Sequence, residues 1–598
     1  MSAYRQITTF EERGIRPPSK ESATVGETDL KFIHLRGGDD TGLLQYVRSG
    51  GIAFPHIMIP EAIQLRRPAQ SSAVGLNEML ANESIFLRSA SGPGANGNGS
   101  PALSTMVENI IWLWNAKENA AGLLNQLRTR ALLAAESWLP GPVASAVFGM
   151  VPGTVSAAKA DEAKFREAEG KRNMLAMSEG PVSCVAWHPH RSLIAIAHRA
   201  TDTIFLYDMA SDTWCSNVLQ NTYMQGITSM AWQPNCGYTL AVGCTTGVCL
   251  WNIIPSANAQ PSAEPLSAPS LGSMQFSSWM TLMAFPPLRD QHRHPTRLSS
   301  TERTVFYRSS ASVSSLAFSP SGQWLVTGHQ SHGHLTVWDV SLGTATPLKR
   351  SGSTSSSATL QIGISPDGRY LVSTHANGHL RLWETESWSS RLWSDLPASV
   401  SQFAWSPDSR SMFFAVTGSA AIYALALFKP APSLDAEITV ASSFEPHATA
   451  TLDGEEDAER IRVGGAIKSL AMDPKGQRLV VGFDDDSASS DISLLAVYLV
   501  STEALFRAGG SSCALMPLGY IRGPNWGKQS PHETEVPTDL ITGQEKPSKK
   551  KRVRLGLPVP SWTGFAPNFG PGALLTVAWA NGKISFVPML FRTSSKSN

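Results

Sequence analysis

Two histidine pairs, His188/His190 and His292/His294, put imidazoles close enough in sequence to suggest a shared metal ion or a proton relay. The first sits at a strand-ending turn and the second in a long polar insertion, so both read as surface histidines. Asp484, Asp485, Asp486 and Asp491 imitate a cation loop but lack the fixed oxygen-ligand spacing of an EF-hand, and lie between two predicted strands. They read as a solvated turn. Phe506-Arg507-Ala508-Gly509 lacks the second arginine of a paired-arginine phosphoinositide motif. No Walker loop, GxGxxG, HExxH, nucleophile elbow or zinc-spaced cysteine set occurs in its proper context. No catalytic, cofactor-binding or metal-ligating residue is therefore assigned, and a non-enzyme is expected.

One dense basic run remains, Lys549, Lys550, Lys551, Arg552 and Arg554. It matches a single-cluster nuclear localisation signal that an import receptor could read. A solvated basic loop, or a patch for an acidic partner, is the competing reading. Without interleaved aromatics it does not read as an RNA or DNA site.

The whole chain gives little global electrostatic direction. Its 598 residues carry 49 basic against 48 acidic side chains, a net charge of +1, so no long-range field steers it to nucleic acid or an anionic membrane. The six cysteines (Cys184, Cys215, Cys236, Cys244, Cys249, Cys513) show no CxxC pairing, which fits buried thiols in a reducing compartment. The first residues, MSAYRQITTFEERG, lack the apolar core of a secretory signal. No stretch reaches the roughly 20 apolar residues of a spanning helix.

Whatever the chain positions, it does so on a repeat. Small residue, large residue, any residue, proline recurs with the large position at Trp187, Trp232, Phe318, Ile364, Trp405, Met472 and Phe565. A further large side chain stands two places earlier in every copy but the last, where Thr563 replaces it. That is the strand period of two, and it predicts a buried strand. Proline then ends the strand, because it has no N–H to offer the ladder. Pro320-Ser321-Gly322, Pro366-Asp367-Gly368 and Pro474-Lys475-Gly476 supply turn chemistry. Second strands follow (LIAIAH, TLAVGC, WLVTGH, YLVSTH, MFFAVT, RLVVGF, LLTVAW), then third runs such as IFLYDM, LTVWDV and LRLWET. Units of three to four strands at about 40 to 45 residues describe an all-β protein, a seven-bladed WD-repeat β-propeller over residues 176–598. Three overlong proline intervals predict loop insertions near 256–310, 429–462 and 519–560.

Residues 1–175 read as a separate, partly α-helical region. Thr105 to Glu108 resembles a capping box and opens a helical stretch near 105–137, with a second near 158–172. Ile110, Ile111, Trp114, Leu124 and Leu127 mark an apolar face that either packs internally or docks on a partner. Because only RTSSKSN follows Phe591, the last blade is expected to borrow a strand from the N-terminal region, Gln6–Phe10 or Lys31–Leu35.

The combination VAWHPH (185–190), SLAFSPSG (315–322) with TVWDV (336–340), WSPDSR (405–410) with AIYALAL (421–427), and the terminal GFAPNFGPGALLTVAWANGKISFVPMLF (564–591) resembles the Aladin family of WD-repeat nucleoporins. LNEMLANE (76–83) resembles that family's N-terminal region. The long insertions and the Gly/Asn-rich loop at 91–100 depart from it. The resemblance implies a non-catalytic nuclear pore component, peripheral to the nuclear envelope and held there through protein contacts. It implies recruitment by a transmembrane nucleoporin, contacts with other pore proteins, a part in nucleocytoplasmic transport, and a link to the mitotic spindle. Two other readings stay open from the residues alone. One is a cytoplasmic WD-repeat adaptor, such as a substrate receptor or coat-like subunit; the other is a propeller enzyme with His, Asp or Arg clustered around its axis.

Overall fold

A computed structural model describes residues 9–36, 39–60, 180–215, 218–221, 224–255, 276–283, 312–330, 333–348, 357–452, 460–484, 493–501, 515–524 and 559–591. The expected helices near 105–137 and 158–172, with Ile110, Ile111, Trp114, Leu124 and Leu127, lie outside the described residues. So does the basic run Lys549 to Arg554.

Seven antiparallel sheets form the blades. Their innermost strands are Val182–Trp187, Ser229–Trp232, Val313–Phe318, Thr359–Ile364, Val400–Trp405, Ile467–Met472 and Pro560–Phe565. Each inner strand ends on one of the seven large residues that the repeat singled out. Inner strands of neighbouring blades touch one another all the way round, so they surround a common axis. In six blades the ladder slips one residue near the start of this strand, for example between Val182 and Cys184. Such a bulge bends the strand as it enters the crowded centre.

The second strands are the most buried elements. Thr239–Cys244, Tyr370–His375, Ser411–Val416, Arg478–Phe483 and Gly572–Trp579 are buried at every position. A blade has a neighbour on each face, so a strand in mid-blade is covered on both sides and its sequence reads as a continuous apolar run. The core is accordingly divided among the blade junctions. Seven clusters of buried apolar side chains occur, one at each seam.

The three expected insertions need correction. Phe276–Met283, Ala436–Ser443 and Leu515–Arg522 are outer strands of the second, fifth and sixth blades, and the first two fall inside, the third partly inside, the ranges read as loops. A short extra hairpin, His447–Ala450 with Arg460–Val463, follows the fifth blade. An outer strand buries only one edge of its surface, so polar residues interrupt its apolar rhythm; AEITVASS is half exposed.

The last blade is completed from the N-terminal side. Strand β1 (Ser22–Thr28) lies parallel to Lys583–Leu590, with Glu27 opposite Met589, and β2 (Lys31–Arg36) pairs antiparallel outside it. Helix α1 (Asp40–Arg48), capped by the Asp39 carboxylate on the Gly42 N–H, follows, and β3 (Ile57–Met58) returns to the other end of the same C-terminal strand. The strand beside the C-terminal one is thus Ser22–Thr28, with Lys31–Arg36 one place further out. Phe10 belongs to no strand. It is an anchor, buried among Phe444, Tyr498 and Tyr520 with ring centroids 4.7–5.2 Å away.

Residues 9–36 form a strap across the last three blades. Arg13 Nη1 donates to the Pro517 carbonyl, Leu452 N–H to the Pro17 carbonyl, and the Arg522 N–H to Thr24 Oγ1. Phe32 sits so close to Gly519 that a Cβ there would come within 2.5 Å of its ring. Glu27 and Arg478, 0% and 3% exposed, form a buried ion pair at 2.6 Å.

Candidate functional site

Strand direction alternates within a blade, so the seven proline turns and the turns between third and fourth strands share one face of the ring. The residue before each proline explains the local fold. His188, Ser319, Ser365, Ser406 and Asp473 are all buried, and each side chain accepts backbone N–H groups of its own turn. Ser365 Oγ takes Tyr370 N–H at 2.9 Å and Ser406 Oγ takes Ser411 N–H at 3.0 Å. His188 Nδ1 takes the N–H of His190 and Arg191 at 3.0 and 2.9 Å, and its Nε2 donates to Gly237 O at 2.6 Å. That arrangement requires a neutral ring, and burial holds its pKa below the ordinary value. The His188/His190 pair is therefore turn structure. His292 and His294 lie outside the described residues, as do Asp485, Asp486 and Asp491.

The same turns bridge the seams. Trp232 Nε1 donates to Ala186 O (3.1 Å), Gln233 Nε2 to Gly322 O (2.7 Å) and Lys475 Nζ to Gly570 O (2.9 Å). Asp367 N–H donates to Ser409 Oγ (3.0 Å), Trp187 Nε1 to Thr576 Oγ1 (3.0 Å), and Asn568 Nδ2 to Pro189 O. At the two remaining seams Gly368 lies against Pro320 and Gly476 against Pro407, close enough that a Cβ on either glycine would sit 3.1 or 2.8 Å from the proline ring. Both glycines have φ above +70°, so no other residue fits the turn as well. The proline face is a collar whose every junction is closed.

On this collar the second to fifth blades each present a large apolar group. Tyr238 is 44% exposed, Leu342 73% and Phe428 49%. Trp388 is half-buried, held at φ 54° in a turn clamped by the buried Glu384 carboxylate, and meets Trp324 edge-on at 5.9 Å. The first and sixth blades present His190, Arg191 and Lys475 there instead. A one-sided apolar arc on a rigid collar can hold a protein partner without any reactive group. The opposite face carries a shallow hollow of about 500 Å³ lined by Pro397, Thr417, Tyr423, Glu445 and Pro446.

The repeat residues divide by burial. Trp232 and Phe318 are buried; Trp187, Ile364, Trp405, Met472 and Phe565 are half-buried, because the inner strand ends at the mouth of the axis rather than inside a seam. The buried polar residue before each proline was not singled out from the sequence. Its signal was there in the His/Ser/Asp that precedes five of the seven prolines. Of the cysteines, Cys184, Cys215, Cys244 and Cys249 are buried and Cys236 half-buried. Among the described residues no group of three or more His, Cys, Asp or Glu could hold a metal ion, and no helix is long and apolar enough to cross a membrane.

The family model for "WD domain, G-beta repeat" matches residues 300–339 and 348–384. Those segments hold the third and fourth blades, where a buried third-strand tryptophan donates to a second-strand hydroxyl: Trp338 to Thr327 and Trp383 to Ser373, both at 3.0 Å. A curated protein named Aladin, from Arabidopsis thaliana, is 25% identical over 424 residues, covering 70% of this chain and 78% of that protein. A solved structure, the β-propeller domain of Myceliophteria thermophila Cps50 (Swd1), aligns over 68% of this chain and 96% of that chain with a TM-score of 0.40 and 12% identity. The chain is an Aladin-like WD-repeat β-propeller, and the scaffold or adaptor role of such rings is the coarse functional statement that follows.

Proposed function

We propose that this chain is a non-catalytic scaffold of the nuclear pore complex, docked on a transmembrane nucleoporin and other pore proteins at the nuclear envelope, where it supports nucleocytoplasmic transport. The observation that carries the scaffold part is the apolar arc Tyr238, Leu342, Trp388 and Phe428 on a collar closed at every seam. Such a surface holds partners at fixed geometry and needs no reactive residue. The similarity to Aladin supports the pore location. Residues 549–554 serve in this reading as a signal for an import receptor, and a role at the mitotic spindle goes with the same family likeness.

The test is the full-length chain carrying a fluorescent tag. A punctate nuclear rim is expected, and loss of the rim on removal of residues 1–175. Retention after that truncation moves the docking site onto the ring alone. Diffuse cytosolic signal, with substrate-receptor or coat-like partners in affinity purification, returns the chain to the cytoplasmic adaptor reading.

A further inference from the structure

We propose that the buried Glu27–Arg478 pair, which joins the closing strand β1 to the sixth blade, is a register lock that selects one pairing of β1 and does so at a cost in stability. The geometry is bidentate: Arg478 Nε reaches Oε1 and Oε2 of Glu27 at 3.2 and 3.1 Å, and Nη2 reaches Oε1 at 2.6 Å. The guanidinium is itself held in place, with Nη1 on the Gln477 carbonyl at 3.2 Å and its plane over the Phe591 ring at 4.7 Å. A fork in a fixed position accepts a carboxylate from one place only.

Little else in β1 distinguishes the observed register from its neighbour. A shift by two residues leaves every side chain on its own face. When β1 slides so that Ser22 takes the place of Thr24, the hydroxyl that receives the Arg522 N–H at 2.9 Å is replaced by another hydroxyl. Tyr46, which packs over Gly26, belongs to the helix that follows the strap and travels with it. In that slipped state Val25 stands where Glu27 was. Only the ion pair is lost, and it leaves two buried charges unpaired. The opposite slide removes the hydroxyl as well, because Gly26 then stands in the place of Thr24.

The pair does not recover the cost of its burial. Desolvation raises the Glu27 carboxyl above its ordinary pKa despite the guanidinium beside it, and the Asp473 carboxylate nearby pushes in the same direction. A buried pair of this kind is commonly matched or surpassed by apolar side chains of similar volume, whereas one orphaned charge is strongly unfavourable.

The experiment uses the full chain with Glu27→Met, Arg478→Met and the double variant, read by denaturation midpoint and by hydrogen exchange of the Ser22–Thr28 amides. Each single variant is expected to melt below the parent. The double variant is expected to match or exceed the parent midpoint while its β1 amides exchange at least ~10-fold faster. A double variant that melts lower than the parent makes the pair a stability contact and overturns the proposal. One that keeps the parent's β1 protection overturns it too, since the register is then held by other groups.

Discussion

His188 shows how far one residue's protonation reaches. Its ring accepts two N–H groups and donates to the next blade, a pattern open only to the neutral form. Burial is the leading cause of its lowered pKa, opposed by the Gly237 carbonyl and helped by Arg191 and His190. In the unfolded chain the ring takes a proton as the pH falls past 6.5, its ordinary value; in the folded chain it resists until a lower pH. Stability contributed by His188 is complete above 6.5 and falls as the pH drops toward the folded value. The parent should therefore lose stability relative to His188→Gln between about pH 7 and about pH 5. A difference between the two that does not change with pH contradicts the neutral-ring assignment. His56, pushed down to about 4, and His198 act in the same direction, while the raised Glu27 and Asp473 oppose them, so the comparison with the variant isolates the term.

The inner strand separates two tryptophans that the repeat presents as equivalent. Trp232 is 6% exposed and donates to Ala186 O, whereas Trp405 stands half-exposed at the axis. Trp232→Ala should cost about 3–5 kcal/mol and Trp405→Ala clearly less, measured by chemical denaturation. Equal losses would mean the two sites are packed alike. The repeat itself was legible because Trp-x-Pro and its variants recur with strand alternation, and the all-apolar second strands follow from coverage on both faces. The outer strands were not. AEITVASS buries one face and the run FSSWMTLM follows a Pro/Ser-rich stretch, so both read as loop. SATVGET, the closing strand, has a glycine and four hydroxyl or acidic side chains, and its identity as a strand comes from its neighbours rather than its own pattern. The apolar arc was equally hidden, since Leu342 and Phe428 look like any other apolar residue until their turns expose them.

For the whole molecule, seven seams each hold their own core cluster, so no blade is stable apart from both neighbours. The seam between the sixth and seventh blades depends additionally on the strap. Removing residues 1–36 strips β1 and β2 from the last sheet, opens the Phe10 site and leaves Arg478 unpaired. A melting transition at least several degrees lower is expected in differential scanning calorimetry. An unchanged transition would mean that the ring is closed without the strap.

Because Arg13 and Pro517 meet across 504 residues, and Glu27 lies opposite Met589, the two ends of the chain are woven into one sheet. A ribosome adding ~5–20 residues per second emits the N-terminal strand roughly half a minute to two minutes before its partner exists. The wheel is therefore finished only after synthesis ends, and through that interval the nascent strap is a sticky, unmatched ribbon in need of a chaperone.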